Sequence, residues 1–522
     1  MIDGEMQAFA LTLDKFLDHA ARWHADAEVV TAREGGRSSR IGYAGLRRRS
    51  ARISGVLARL GVRLGDRVAT LAWNSQAHVE AWYAIMGMGA VCHTLNPRLT
   101  ETQLAAMVAQ SEARILIASA DLAPLARRVA ERTRSLERVL VVDLPAGEDG
   151  GADALETLIA GDVEDGVWGG FDETAPCGLC FTSGTTGAPK GVTYTHRSSA
   201  LHTLRQLQAD VMAISGTDTV LTAVPMFHAN AWGLPFAAPA VGARLVLPGR
   251  DLDGASLARL INDEGVTVAV GIATVWLGLV EHLEAHGGET PTLKRVIVGG
   301  APMAPALMER IEQRLGVTVQ ISWGMTELSP LGACARPHDP ERAAHLCGPP
   351  AFGVDLLLTD AEGRPLPDQR GVEGHLRVRG SAVIERYFGQ TERATDAAGW
   401  FPTGDLARID PGGDLVITGR AKDLIKSGGE WINPAEIEAV VNEHPSVSLA
   451  AVIGRPDAKW GERPVLVIQP REEATDEDIL APLRGRVAPW WIPDEVIRLE
   501  RMPLAPTGKI DKMRLRVDHG GC

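Results

Sequence analysis

Six cysteines in 522 residues are too few for a disulfide scaffold. Cys177 and Cys180 form a C-x-x-C in "PCGLCFTSG", but no second pair stands nearby. A zinc site ordinarily needs four convergent ligands. The apolar neighbours read instead as a buried strand, on which residues three apart point to opposite faces. No apolar run approaches the roughly 18 residues of a membrane-spanning helix. The opening "MIDGEMQAFALTLDKFLDHAARW" carries Asp3 and Glu5 and no basic n-region, so no secretory signal is expected there. Gly520-Gly521-Cys522 is neither a peroxisomal address nor a prenylation box. Positive charge is also in deficit: 53 Lys and Arg face 66 Asp and Glu, for a net charge of -13. Sequence-independent nucleic-acid binding needs a basic face, so that function class is excluded. No internal repeat or low-complexity tract is present. What remains is expected to be a soluble cytoplasmic protein, 45% hydrophobic and 23% charged. Domains run about 100 to 200 residues, so two to four units are expected.

Leu13, Phe16, Leu17 and Ala20 fall at helical spacing and predict a surface helix with one buried stripe. Beyond them, apolar runs alternate with helical patterns. "RVATLAWN" (67–74), "RILIAS" (114–119) and "RVLVVDL" (138–144) read as strands of a covered parallel sheet, with helices such as "HVEAWYAIMGMGA" between them. The glycine-rich, acidic 145–170 reads as a surface connection. A second α/β set follows at 243–249, 266–272, 293–300 and 317–324. From about 352 short strands separated by Gly, Pro and Asp predict a small β-rich subdomain. Asn433 reads as a helix N-cap, with Pro434 at the first helical position and Glu436 three residues past the cap. The last 100 residues read as a small α+β domain.

Against this background "FTSGTTGAPKGVTYTH" (181–196) stands out as a phosphate cradle. Its glycines let backbone N–H groups approach phosphate oxygens, and Ser183, Thr185 and Thr186 add hydroxyls. It is not the common G-x-x-x-x-G-K-[ST] loop, because Gly191 follows Lys190. "VIVGGAPMAPALMERIEQRLG" (296–316) reads strand, glycine turn, helix, the place where open α/β sheets bind ligands. "ISWGMTE" (321–327) supplies Trp323, Thr326 and Glu327: an aromatic to stack on a base, and a carboxylate suited to Mg²⁺ beside a triphosphate. "GWFPTGDLARID" (399–410) sets Asp405 after a glycine, where it can accept from both ribose hydroxyls. "ITGRAKDLIKSGGEWI" (417–432) and "PLAPTGKIDKMRL" (503–515), with Lys509, complete the series.

These six motifs, in this order, resemble the adenylate-forming (ANL) superfamily over residues 10–517, nearly the whole chain: acyl-CoA synthetases, peptide-synthetase adenylation domains and beetle luciferases. "VPMFHANAWGLP", "CHTLNPRL", "WGMTELSPLG" and "KDLIKSGGEWI" look most like medium- and long-chain fatty-acyl-CoA synthetases; methylthiopropionate-CoA ligases are similar too. The resemblance implies an α/β fold: a large N-terminal domain (1–420) of two α/β subdomains plus a small β-rich subdomain, and a small mobile α+β C-terminal domain (421–522). It implies ATP, Mg²⁺ and coenzyme A as cofactor and cosubstrates, a carboxylic acid substrate, and dimers as a common family state. Thr182, Ser183, Gly184, Thr185, Thr186, Gly187 and Lys190 would hold the β- and γ-phosphates. Glu327, with Thr182, would bind Mg²⁺. Gly300, Ala301 and Trp323, in the run with Gly324 and Met325, would flank adenine. Thr326 would contact the α-phosphate, and Asp405 and Arg420 the ribose. Lys509 would bridge the substrate carboxylate and the α-phosphate, where a cation between two anions offsets their repulsion.

Lys422 matches the family's hinge, a position that often holds Asp. About it the C-terminal domain would swing, withdrawing Lys509 and bringing in Ser427, Gly428, Gly429, Glu430 and Trp431 along the pantetheine path; a plain hairpin turn is the alternative for Gly428-Gly429. His228 and Trp232 stand i, i+4, so a helix would place them on one face, as an acyl-pocket wall or gate. Gly299 is assigned to the same pocket. Thr274 and Trp276 read either as acyl-site residues or as core packing. Arg455, Lys459 and Arg463 are candidates for the distal phosphates of coenzyme A. A short thioether acid or an aryl acid is the alternative substrate. A peptide-synthetase unit normally carries an Asp near "MFHANAWGLP" to grip an amino group, and none is there. A P-loop kinase disagrees with the residue after Lys190 and with the distant Lys509. A non-catalytic nucleotide module would not need both Lys509 and the "SGGEW" loop.

Overall fold

The computed structural model describes residues 4–145, 151–182, 189–428, 430–505 and 508–521. Two mostly parallel sheets form the large domain. The first has six strands in the order Arg138–Val142, Ile115–Ser119, Arg67–Leu71, Val91–Thr94, Pro176–Phe181 and Gly191–Thr195. Only the last pairs antiparallel. Near-continuous burial along these strands is what a parallel sheet covered on both faces requires. Cys177 and Cys180 lie in this buried sheet as free thiols, as the strand reading predicts.

The second sheet has eight strands: Leu331–Cys334, Thr318–Gly324, Arg295–Val298, Val268–Gly271, Thr219–Thr222, Arg244–Leu247, Glu28–Arg33 and Arg37–Gly42. Its last two come from the chain's beginning. Glu28–Arg33 pairs in parallel with Arg244–Leu247, and Arg37–Gly42 closes the edge antiparallel. The two predicted α/β sets each fall in their own sheet, and the hairpin 28–42, which belongs to neither set, crosses over to join the second. The connection at 145–170 is also more than a surface run, because it contains the helix Leu155–Ala160 with Leu155 and Ile159 buried. The N-terminal helix Asp14–Trp23 buries the predicted stripe, with Leu13, Leu17 and Ala20 at 0% exposure.

The β-rich subdomain is a four-stranded antiparallel sheet, Val354–Thr359, Glu373–Gly380, Phe401–Ile409 and Leu415–Arg420. The Asp405 motif, expected as a turn, is the middle of a nine-residue strand, with Gly404 at φ +75 giving the local irregularity. The small domain has its own cores: one around Ile432, Ile437, Val452 and Leu466, another around Ile453, Val467 and Leu515. Its helix Pro434–Val441 is capped as read, Asn433 accepting from the Ala435 N–H at 3.2 Å. Such a cap is worth about 1 kcal/mol. The Asn433 amide also donates to the Thr418 carbonyl at 2.7 Å, and Arg516 pairs with Asp423 at 2.8 Å. The first joins the small domain to the strand before Arg420, and the second ties the segment after Arg420 to the last helix of the small domain.

Candidate functional site

Three neighbouring parallel strands, Val268–Gly271, Arg295–Val298 and Thr318–Gly324, end side by side. Their carboxyl ends carry Ile272–Thr274, Gly299–Ala301 and Met325–Glu327, the region where open α/β sheets hold ligands. From the other sheet, Pro176–Phe181 runs into Thr182, whose N–H donates to the Lys190 carbonyl at 2.9 Å. Ser183, Gly184, Thr185, Thr186 and Gly187 lie outside the described residues, as does Gly429.

Asp405 is the most heavily engaged carboxylate. It is 2% exposed and accepts from the Trp323 indole N–H at 3.0 Å, while its other oxygen pairs with Arg420 at 2.8 Å. Burial raises its pKa, against the pull of Arg420, Trp323, Lys509 and Lys422. Trp323, assigned to flank adenine, is 8% exposed; a Cβ on Gly332 would stand 2.4 Å from its ring, so one face rests on that glycine. Its N–H, a donor with no part in base stacking, orients Asp405.

Lys509 reaches this cluster from the small domain. A Cβ on Gly300, which sits at φ +81, would stand 3.5 Å from its Cε and 3.9 Å from its Nζ. Burial, with Arg420 and Lys422 adding to it against Asp405, lowers the Lys509 ammonium to about 8. A free lysine stays charged to about 10.4. As pH rises through 8 the docked side chain therefore loses the charge it is assigned to use, while below that pH it keeps it. We expect kcat/KM for the acid, which reports the free enzyme, to fall on the alkaline side with an apparent pKa near 8. A pH–rate series on the adenylate half-reaction checks this; a profile flat to pH 10 contradicts it.

Glu327 sits on the short turn Thr326–Leu328, 7% exposed. Burial raises its pKa, opposed by its own backbone N–H, Tyr387, Arg420 and Lys190. The Tyr387 hydroxyl donates to Glu327 at 2.9 Å, and the Lys190 ammonium lies over the Tyr387 ring at 4.8 Å from its centroid. Tyr387 thus links the phosphate-loop lysine to the carboxylate assigned to the metal. Tyr194 donates to the Thr326 carbonyl at 2.9 Å. Neither tyrosine is marked in the sequence by a motif. The available signal is scarcity, since the chain has only four tyrosines.

On the acyl side the structure corrects one expectation and divides another. His228 and Trp232 do not share a helix face. His228 is extended, and Ala229, Asn230, Ala231 and Trp232 have φ of 44, 52, 48 and 49, a left-handed turn that ends on Gly233. L-residues resist this conformation, each at roughly 1–2 kcal/mol. The Gln206 side chain holds it by donating to the Trp232 carbonyl at 2.5 Å. The turn aims the Trp232 ring at Gly299, where a Cβ would come within 3.0 Å of it. His228 stays neutral, lowered to about 4 by burial and by Lys509. That favours a wall or hydrogen-bonding role over a protonated acid. Trp276 is fully buried, its ring against Gly271, where a Cβ would stand 2.8 Å from it, a placement that fits core packing. The Thr274 hydroxyl donates to the Gly508 carbonyl at 3.4 Å and so faces the small domain.

The "SGGEW" segment is a hairpin, Ile425–Ser427 against Glu430–Ile432. Gly428, at φ +59, donates its N–H to the Trp460 carbonyl at 2.7 Å. Trp431 and Trp460 are 54% and 45% exposed, with Lys426 and Lys459 over their respective rings. Of the proposed phosphate ligands, Arg463 is bound by both oxygens of Asp494 at 2.7 and 2.8 Å, and Arg455 by Glu495 at 2.5 Å. Either must exchange a carboxylate for a phosphate to act, whereas Lys459, among the described residues, rests over the Trp460 ring and pairs with no carboxylate.

The AMP-binding enzyme family model matches residues 16–388, and the AMP-binding enzyme C-terminal domain model matches residues 436–509. The chain is 38% identical to a 3-methylmercaptopropionyl-CoA ligase of Ruegeria lacuscaerulensis, over 98% of each. It is 40% identical to a medium-chain-fatty-acid–CoA ligase of Ectopseudomonas oleovorans, over 99% of this chain and 97% of that one. Among solved structures, ATP-bound MatB from Rhodopseudomonas palustris superposes with a TM-score of 0.85 at 26% identity, over 98% of this chain and 99% of that chain. The apo form of the same protein superposes with a TM-score of 0.77, also at 26% identity.

Proposed function

The chain belongs to the AMP-binding enzyme family, and from that premise we propose that it is an ATP-dependent acyl-CoA synthetase for a hydrophobic carboxylic acid of medium to long chain. The observation that carries the reading is the entry of Lys509, from the small domain, into a site built on the large domain beside Gly300 and Asp405. In the first half-reaction a carboxylate oxygen attacks the α-phosphorus of ATP. An acyl-adenylate forms and pyrophosphate leaves. In the second, the thiol of coenzyme A attacks the acyl carbonyl, releasing AMP and a proton.

Neither displacement requires a nucleophilic side chain, so the residues act by position and charge. Lys509 stands between carboxylate and α-phosphate. Asp405, fixed by Trp323 and Arg420, receives the ribose hydroxyls. Lys190 and the loop after Thr182 hold the departing pyrophosphate, so the loss of Lys190 falls on the first half-reaction. Mg²⁺ fits Glu327, a buried carboxylate oriented by Tyr387. Among the described residues no group of three or more His, Cys, Asp or Glu could hold a metal ion, so phosphate oxygens and water would fill its remaining positions. The ion would supply charge neutralisation on the leaving phosphates. The hinge is assigned to Lys422 within a division at 420/421, a cytoplasmic location and a homodimer complete the proposal, and the "SGGEW" hairpin is the element that enters for the second half-reaction.

A second substrate reading is favoured by one similarity: the relative at 38% identity is named for a short thioether acid. A panel of acids from C2 to C18, with 3-methylthiopropionate and aryl acids, assayed for CoA-dependent AMP release, decides. The greatest kcat/KM is expected with straight-chain acids of medium or greater length. A maximum at methylthiopropionate transfers the assignment, and no AMP release with any acid overturns it.

A further inference from the structure

The catalytic role given to Lys509 does not explain what holds the turn that carries it. That turn is tight. The Gly508 N–H donates to the Ala505 carbonyl at 2.8 Å, the Ala505 N–H to the Lys509 carbonyl at 2.7 Å, and Leu504 bridges Ile510. Its seat is the start of the large-domain helix Ala273–His286. Here the Thr274 hydroxyl donates to the Gly508 carbonyl at 3.4 Å. One residue before the helix, Ile272 fills the space beside both glycines: a Cβ on Gly508 would stand 2.4 Å from its Cδ1, and one on Gly300 3.7 Å from its Cγ2. Further along, helix and small domain part. A cleft of about 640 Å³ opens between Leu277 and Glu281 on one side and Leu449, Leu499 and Arg501 on the other. On this flank the first turn of the helix carries a hydrogen-bonded docking contact, and beyond the cleft Glu284 feels the charge of Arg471 of the small domain.

We propose that Thr274 is a positioning residue for adenylate formation. It rests on the acyl-CoA synthetase reading above. Its hydroxyl holds the Gly508 carbonyl, and with Ile272 it seats the turn so that the Lys509 ammonium stands beside Gly300. Thr274 acts through Lys509 and not on the acid. The contact exists only while Lys509 is docked, so it serves the first half-reaction and is released for the second. This gives Thr274 a different task from Trp276 two residues later, whose ring packs into the core, and it separates the residue from the acyl wall to which its helix position first suggested it belongs.

The test pairs Thr274→Val, which keeps the branched shape and removes the donor, with Thr274→Ser, which restores the donor. Acid-dependent ATP–pyrophosphate exchange measures the first half-reaction; thioester formation from synthetic acyl-adenylate and coenzyme A measures the second. In Thr274→Val the exchange kcat is expected to fall about five- to tenfold, the scale of one hydrogen bond. KM for the acid and the second half-reaction should hold, and Thr274→Ser should recover the exchange. Trypsin cleavage after Lys509, followed by mass spectrometry, should be faster in Thr274→Val than in the parent. A change in acid KM or chain-length preference with kcat unchanged returns Thr274 to the acyl wall. Equal loss of both half-reactions makes it a general stability contact, and no change in exchange or cleavage removes the latch altogether. If the parent enzyme shows no acid-dependent exchange, the functional reading fails, while the trypsin comparison still reports whether Thr274 seats the turn.

Discussion

Lys509→Ala is expected to lower adenylate formation roughly 10³-fold while thioester formation from synthetic acyl-adenylate stays within about threefold of the parent. The size follows from charge. A cation about 4 Å from an anion is worth about 4 kcal/mol at an effective dielectric constant near 20. Each 1.36 kcal/mol of barrier is a factor of ten. The asymmetry follows from geometry: Lys509 is on the small domain but stands beside Gly300 of the large one, and the second half-reaction begins after the two anions have already joined. Stopped-flow or exchange assays on the separated half-reactions read it directly. The variant should also lose the alkaline fall near pH 8, since the group responsible is gone. Equal loss in both halves would sink the account in which the small domain serves the two steps with different faces.

Asp405→Asn should behave differently and weaken both half-reactions. The carboxylate accepts from the Trp323 indole with one oxygen and from Arg420 with the other. An amide cannot do both. Whichever way it turns, its NH₂ meets either the indole N–H or the guanidinium, donor against donor. A buried donor left unsatisfied costs about 1–3 kcal/mol. Arg420, more exposed than its partner, regains water and lessens that cost. The expected result is a rise of one to two orders of magnitude in the KM for ATP, since about 1.4 kcal/mol is tenfold. Acyl-adenylate binding in the second half-reaction should weaken with it. An unchanged ATP KM would remove Asp405 from the ribose.

Much of this site could be read before the fold was known, because its elements are local. The strand-then-glycine runs ending at Gly271, Gly300 and Gly324 declare themselves by burial and by turn chemistry within ten residues. The Asn433 cap is likewise a four-residue pattern. What escaped reading depends on distant partners. Tyr387 matters because Glu327 lies 60 positions before it, and no spacing rule connects the two. Trp323 reads as a stacking ring because its face is the obvious asset; its use as a donor needs Asp405 folded over it. The turn Ala229–Trp232 carries no glycine until Gly233, so local preference calls for a right-handed helix, and distant partners, Gln206 and Cys180, hold the left-handed form instead. Thr274 reads from its own helix as an acyl-site or core residue, and its contact with Gly508 has no local signal, since that partner lies 234 positions away.

The strand Glu28–Arg33 has one more consequence, for the order in which the molecule is completed. Its parallel partner, Arg244–Leu247, leaves the ribosome about 210 residues later, roughly ten to forty seconds at usual rates of synthesis. During that interval the segment can pair only with its hairpin mate Arg37–Gly42, leaving one edge open. Charges on the two strands, Glu28, Arg33, Arg37 and Arg40, are the residue types that discourage such an edge from recruiting other chains. A chain interrupted before residue 244 would keep that edge unpaired, so the growing polypeptide has no early stopping point at which this sheet is whole.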